Sequence, residues 1–245
     1  MPKKFSAILF CTLVSSVLVC YAELPKLQGR TMRYRVSSHG LGVGAMKTVI
    51  TPTLHAGARA VRFESHLDIA ANLLFFKVNS STREDAVIGE SGALSYQRKS
   101  QENGKSSEVD AVLDGGVFRF KINDNGVARS VAVPRSGYDF TTMDCPETTM
   151  KREGDTLEVR LLNLEQGKVV TRKFHWIKNE DLEIGGKHLH CRVVDFEDAE
   201  NSCRRWVSCG AGSVVIVRQD GKGKHGTYSL RMVLLADPPG PHPPL

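Results

Sequence analysis

CRRWVSCGAGSVVIVRQDGKGKHGTYSLRMVLL, residues Cys203 to Leu235, decides the fold. It reads as a strand over Arg204–Ser208, a glycine turn at Gly210-Ala211-Gly212, and a second strand over Ser213–Arg218. A glycine-lysine turn over Asp220–Gly226 and a third strand over Thr227–Leu235 complete it. In the last strand Tyr228, Leu230, Met232 and Leu234 alternate with Thr227, Ser229 and Arg231, and only Val233 breaks the rhythm. Period two marks a strand with one wet face. Turns this short join antiparallel neighbours, because a parallel return needs a crossover of a dozen or more residues.

Working outward, the same grammar fills the chain. Met32–Ser37 and Ala45–Thr51 flank a glycine turn, Pro52 ends that strand or marks an edge, and Arg59–Glu64 reads as a third. From Ser65 to Val78 the periods conflict. Leu67, Ala70, Ala71 and Leu74 form a helical stripe, whereas Leu74-Phe75-Phe76 with Val78 reads as a bend into a strand, which is the reading adopted here. Further strands follow over Glu84–Gly89, Leu94–Lys99, Glu108–Leu113, Val117–Ile122 and Val127–Val133, and Asp114-Gly115-Gly116 makes the clearest hairpin. Pro134–Pro146 is a connection. Thr156–Leu162, Lys168–Ile177, Leu182–Ile184 and Lys187–Phe196 lead into the final three strands. About a dozen short strands with hairpin spacing predict a mainly β protein, an antiparallel meander curled into a half-open barrel with little or no helix. A curled sheet leaves an apolar concave face that either loops or a ligand must cover.

The N-terminus has the order of a secretory signal: Lys3-Lys4, an apolar run from Phe5 to Val19, and Cys20-Tyr21-Ala22. The run falls short of the roughly 20 residues that span a bilayer. The expected organisation is a signal peptide at 1–22, one β domain at 23–236 and a proline-rich tail at 237–245. The expected location is the periplasm or another exported compartment, with a lipoprotein anchored through Cys20 as a minor alternative. The mature chain is expected to carry no transmembrane segment. Loss of residues 1–22 removes Lys3 and Lys4 and no acid, so a formal charge of +6 falls to +4. Lys and Arg alternate with Asp and Glu along the chain without a clustered basic stripe, which argues against nucleic acid as a partner.

Cys145, Cys191, Cys203 and Cys209 are disulfide candidates in an exported chain. Cys203 and Cys209 on one strand would stand about 20 Å apart, beyond bridging range, so Cys191 on the preceding strand is the better partner for one of them. Buried free thiols are the alternative. No catalytic signature is present: no G-x-S-x-G, H-E-x-x-H, C-x-x-C or phosphate loop. No cofactor is expected, and the reading is non-enzymatic. His188 and His190 would share one strand face and could approach a soft metal with His175 or His225 as a third ligand, the alternative being an ordinary wet face. Phe75, Phe76, Phe118, Phe120, Trp176, Trp206, Tyr228 and Met232 are the candidate lining of a ligand site, or plain core.

Several stretches, taken in order, resemble a known group of proteins. They are Val43-Gly44, Gly92-Ala93-Leu94 before Asn103-Gly104, Tyr138-Asp139-Phe140-Thr141-Thr142, and Leu161-Leu162-Asn163-Leu164-Glu165-Gln166-Gly167-Lys168-Val169. Gly185-Gly186 before His190-Cys191, and Trp206 leading to Val214-Val215, complete the set. The chain resembles exported bacterial proteins of the domain of unknown function 3108 and 6134 type over residues 31–235. It departs from them after Trp206, where Ser208-Cys209 stands and an acidic residue is common. The resemblance implies a half-open barrel similar to periplasmic lipoprotein carriers, and it transfers no catalytic residue. The expected function is binding or carriage of a lipid, lipopeptide or other apolar envelope component. The alternatives are a structural or assembly protein docking envelope partners through its sheet, and a metal protein using His188 and His190.

Overall fold

A computed structural model describes residues 29–73, 76–210, 213–223 and 226–236. The expected signal peptide, Cys20, Phe75, His225 and the proline-rich tail lie outside the described residues, as does the side chain of Phe76. The strands are β1 (Arg30–Ser38), β2 (Leu41–His55), β3 (Ala58–Leu73), β4 (Phe76–Gly89), β5 (Gly92–Glu102), β6 (Lys105–Asp114), β7 (Val117–Asp124) and β8 (Val127–Pro134). They continue with β9 (Phe140–Thr141), β10 (Thr156–Asn163), β11 (Lys168–Ile184), β12 (Lys187–Glu197), β13 (Ser202–Gly210), β14 (Ser213–Gly223) and β15 (Gly226–Ala236). All belong to one sheet in the order β8-β7-β6-β5-β4-β3-β2-β1-β15-β14-β13-β12-β11-β10-β9, so the first and last strands pair in its middle. Every pairing is antiparallel except β9 with β10. The mainly β, antiparallel, open architecture read from the sequence is the one observed.

The chain itself forces the curl. Laid flat, fifteen strands would span about 65–70 Å at roughly 4.8 Å each. Yet β8 and β9, the two edges, are joined only by Arg135–Asp139, part of it wound into a 3-10 turn at Arg135–Gly137. Six Cα steps reach at most about 23 Å, so the edges must come round to one another.

The strands are longer than the sequence suggested, because bulges absorb the breaks in alternation. Along β3, Val61, Phe63, Leu67 and Ile69 point inward while Ala70 is exposed, so strand periodicity overrides the helical stripe. β11 runs unbroken past Ile177 through a bulge between Trp176 and Lys178. Val233 is likewise the extra residue where β15 slips against β1 between Arg33 and Tyr34. Beyond it the faces exchange, so Leu234 is exposed and Leu235 packs on the core. Pro52 lies inside β2, past the last pairing with β1 at Ile50, where its missing N–H faces no strand on that side.

One apolar cluster runs through the curl, with Tyr34, Phe63, Tyr96, Phe118 and Phe120 fully buried. A circular barrel of fifteen strands would be too wide to be filled by side chains. The interior is filled because two segments enter it. The β10–β11 turn places Gly167 where a Cβ would meet Phe120 at 3.3 Å, and Arg129 Nη2 donates to the Gln166 carbonyl at 3.2 Å. The segment after β9 carries a second 3-10 turn, Pro146–Thr149, onto β12, where Arg192 Nη1 donates to the carbonyls of Glu147, Thr148 and Met150 at 3.0–3.3 Å.

Candidate ligand groove and its buried supports

Each entering segment carries one carboxylate into the interior. On the turn before Gly167, Glu165 reaches Arg98 at 3.8 Å, and Arg98 lies 4.0 Å from Glu84, which accepts a 2.6 Å hydrogen bond from Tyr96 Oη. All four are buried. Two carboxylates share one guanidinium here. Burial pushes the Glu165 carboxyl up to about 8, with Arg98 opposing the rise and Glu84 adding to it.

The second site is matched one to one. Glu147 Oε1 accepts from Arg205 Nη1 at 2.9 Å, and both side chains are inaccessible. Arg205 Nε donates to Gln219 Oε1 at 2.9 Å, which orients that amide so that its Nε2 donates to Tyr228 Oη at 2.9 Å. Tyr228 Oη is 3.0 Å from Cys203 Sγ, and the chain of bonds ends there. Burial raises the Cys203 thiol and lifts the Tyr228 hydroxyl well above its ordinary value.

Cys203 and Tyr228 form part of the floor of an open groove of 1460 Å³ at the mouth of the curl, between the ends of β10–β15 and β1. Phe174 and Phe196, 2% and 5% exposed, share the face of Cys203 and Tyr228, whereas Trp206 lines the groove from the opposite face of the sheet, in the row of Arg218 and Arg231. Arg35, Arg204, Arg218 and Arg231 stand on the rim with Asp195 and Asp220. The aromatic rings are braced from behind and beside. Phe196 packs 5.6 Å from Phe174 and meets two guanidinium groups, Arg172 at 4.7 Å and Arg205 at 4.6 Å. Arg218 lies 4.2 Å over Trp206, whose Nε1 donates to Glu180 at 3.2 Å. Arg204 makes a two-pronged ion pair with Asp195 at 2.6 and 2.7 Å, and Arg218 pairs with Asp220. Such a surface can hold a molecule with an apolar body and a negatively charged end.

Of the residues singled out from sequence, Trp206 and Tyr228 line the groove. Trp176 lies in the small cluster of Phe174 and Phe196, capped by Arg192 at 4.2 Å. Phe118, Phe120 and Met232 belong to the main core and do not line the groove, the first two stacked at 5.3 Å. His188 and His190 share a face as expected, but His190 Nδ1 is held by Asp181 at 2.6 Å and His175 lies on the groove instead. Among the described residues no group of three His, Cys, Asp or Glu side chains is placed to hold a metal ion. No disulfide joins the four described cysteines. Cys203 and Cys209 lie on one strand, as expected, and Cys191 stands opposite Ser208, with its thiol pushed up to about 12 by burial. Phe174, Phe196, Arg205 and Glu147 were missed. Of these only Glu147 lies beside a stretch that the sequence singled out, Tyr138–Thr142; Phe174, Phe196 and Arg205 lie inside strands β11, β12 and β13 with no local signal.

No protein-family model and no curated protein sequence matches the chain. Its fold is similar to the crystal structure of a beta-barrel-like protein of domain of unknown function DUF1849 from Brucella abortus. The TM-score is 0.58 at 10% sequence identity, over 86% of this chain and 98% of that one. The likeness shows a shared beta-barrel-like fold. No helix among the described residues is long and apolar enough to cross a membrane.

Proposed function

We propose that the protein is a non-enzymatic, exported envelope protein of the domain of unknown function 3108 and 6134 kind, and that it binds a lipid, lipopeptide or other apolar envelope component in the groove. The aromatic floor with an arginine rim carries this reading. Each methylene buried on such a floor contributes about 0.8 kcal/mol, so one acyl chain suffices for firm binding. The groove's own Cys203 and Tyr228 stay protonated, which suits contact better than nucleophilic or acid–base work. Export rests on the residue order of the N-terminus.

Native mass spectrometry of untagged protein, followed by organic extraction, tests the reading. A bound mass that leaves on extraction as lipid is the expected result. Tyr228→Ala, which removes the groove's half-buried aromatic, should weaken binding of a fluorescent fatty acid by about tenfold, the scale for truncating an aromatic anchor. A bare polypeptide that binds no fatty acid would refute it. That result would favour docking of partner proteins along β8, a sheet edge whose residues are almost all exposed or half-buried, with Val127 70% exposed.

A further inference from the structure

The strand register assembles what the linear sequence scatters. Arg33 on β1 stands directly opposite Lys47 on β2, Lys47 opposite His66 on β3, His66 opposite Arg83 on β4, and Arg83 opposite Lys99 on β5. Arg35, two residues from Arg33 on the same face, stands opposite Arg231 on β15, which stands opposite Arg218 on β14. A basic side chain therefore occupies each of seven adjacent strands on the outer face, Lys or Arg on six of them and His66 on β3, over about 29 Å at roughly 4.8 Å per strand. Their sequence neighbours Met32, Tyr34, Met46, Thr48, Leu67 and Thr82 point inward and are buried.

Like charges directly opposite one another destabilise a sheet, and little on the protein relieves this belt. His66 pairs with Asp68 at 2.8 Å, Lys99 with Glu108 at 3.5 Å, and Arg218 with Asp220. The nearby acids Glu64 and Asp85 are engaged by Arg62 at 3.5 and 2.6 Å. Among the described residues Arg33, Arg35, Lys47 and Arg83 make no ion pair, and Arg231 meets only Ser229 Oγ at 3.3 Å.

We infer that this belt binds a linear acidic polysaccharide lying across the strands, with its carboxylates over successive rows. The shape of the belt selects that partner. It runs around the curl at right angles to the strands, and a flat bilayer would touch a convex wall along the strands and meet few of these charges. Single-stranded nucleic acid needs aromatic platforms for its bases. The belt carries none along its length, and Trp206 at its end is covered by Arg218. A flexible polyanion with one charge per sugar needs neither a flat face nor a stacking surface. The inference does not rest on the apolar ligand proposed for the groove, although Arg35, Arg218 and Arg231 belong to both.

Affinity electrophoresis of the full protein in gels containing polygalacturonate is the test, with neutral dextran, oligodeoxythymidylate and phosphatidylglycerol vesicles as comparators. Retardation is expected in polygalacturonate and not in dextran, weakening steeply with salt. The double reversal Lys47→Glu with Arg83→Glu should weaken it by about tenfold or more, whereas Lys121→Glu, an exposed cation on β7 off the belt, should leave it unchanged. Neutral Lys47→Thr with Arg83→Thr should weaken binding and yet raise the melting temperature, a pairing that a structural role would not produce. Equal retardation of wild type and both belt variants, or tighter binding of oligodeoxythymidylate or vesicles than of polygalacturonate, would overturn the inference. Tyr228→Ala, on the groove side and away from the belt, separates the two readings, since it should impair fatty-acid binding and leave retardation intact.

Discussion

The two buried ionic sites solve one problem in different ways. In the C-terminal half Arg205 faces a single carboxylate, Glu147, and Gln219 extends the bonding to Tyr228 and the groove. In the N-terminal half Arg98 faces two, Glu84 and Glu165, and the excess negative charge is removed by a proton. The first site is balanced by geometry, one guanidinium to one carboxylate. The second is balanced by protonation and titrates. A buried cation and its partner cost desolvation in both cases, but only the C-terminal pair braces a surface on which a ligand could rest.

The largest expected effect lies in the geometric site. Glu147→Leu leaves Arg205 without its carboxylate and should cost about 3–5 kcal/mol in urea unfolding. Adding Arg205→Met should return most of that loss, because the apolar pair needs no solvation. If the single change proves mild, the two sites do not differ as described.

Next comes the pH profile of the protonated site. The Glu165 carboxyl titrates near 8 when folded, against an ordinary value of 4.5, so the folded chain holds a proton that the unfolded chain releases. Its contribution is full below about pH 4.5 and is lost as pH rises to about 8, on the order of a few kcal/mol. Unfolding measured across that window should show stability falling with pH, and Glu165→Gln should flatten the slope. An unchanged slope in the variant would assign the titration elsewhere.

Gly167→Ala probes how tightly the β10–β11 turn is seated. Its φ is +64°, and a Cβ would press on Phe120 and Ile122 at 3.3–3.4 Å. A loss of about 1–2 kcal/mol is expected from backbone strain and the crowded ring. The smallest effects belong to exposed pairs, one in each half. Lys99→Ala beside Glu108 and Lys173→Ala beside Glu158 should each shift stability by less than about 0.5 kcal/mol. Equality of these two would confine the contrast between halves to the interior.

Local rules carried the strand readings far, and failed where neighbours intervene. The alternation of Tyr228, Leu230 and Met232 was legible because a pleated strand exposes every second residue. Val233 announced its bulge as a break in that alternation, but which face Leu234 and Leu235 would take depended on the slip against β1. The stripe of Leu67, Ala70, Ala71 and Leu74 is compatible with a helix in isolation. Pairing of β3 with β2 as far as Ile69 and with β4 as far as Leu73 made Leu67, Ala70 and Ala71 strand residues. Trp206 and Tyr228 line the groove, and residue type alone marked them as lining or core without choosing between the two. Phe118 and Phe120 are of the same type and are core, and no local feature separates the two pairs. Nothing local marks Glu147 and Glu165 as buried, because their partners are 58 and 67 residues away in the chain.

By itself the sequence determined an antiparallel, mainly β chain with hairpin turns and no catalytic signature, since strand period and turn chemistry are set by adjacent residues. Only the tertiary structure decided which connections enter the curl, which aromatic residues border the groove, and that Arg33, Lys47, His66, Arg83 and Lys99 form one row. The reason is register. Each of these basic residues is separated from the next by 14 to 19 residues, and hairpin lengths and bulges, summed over successive strands, determine whether such residues meet or miss.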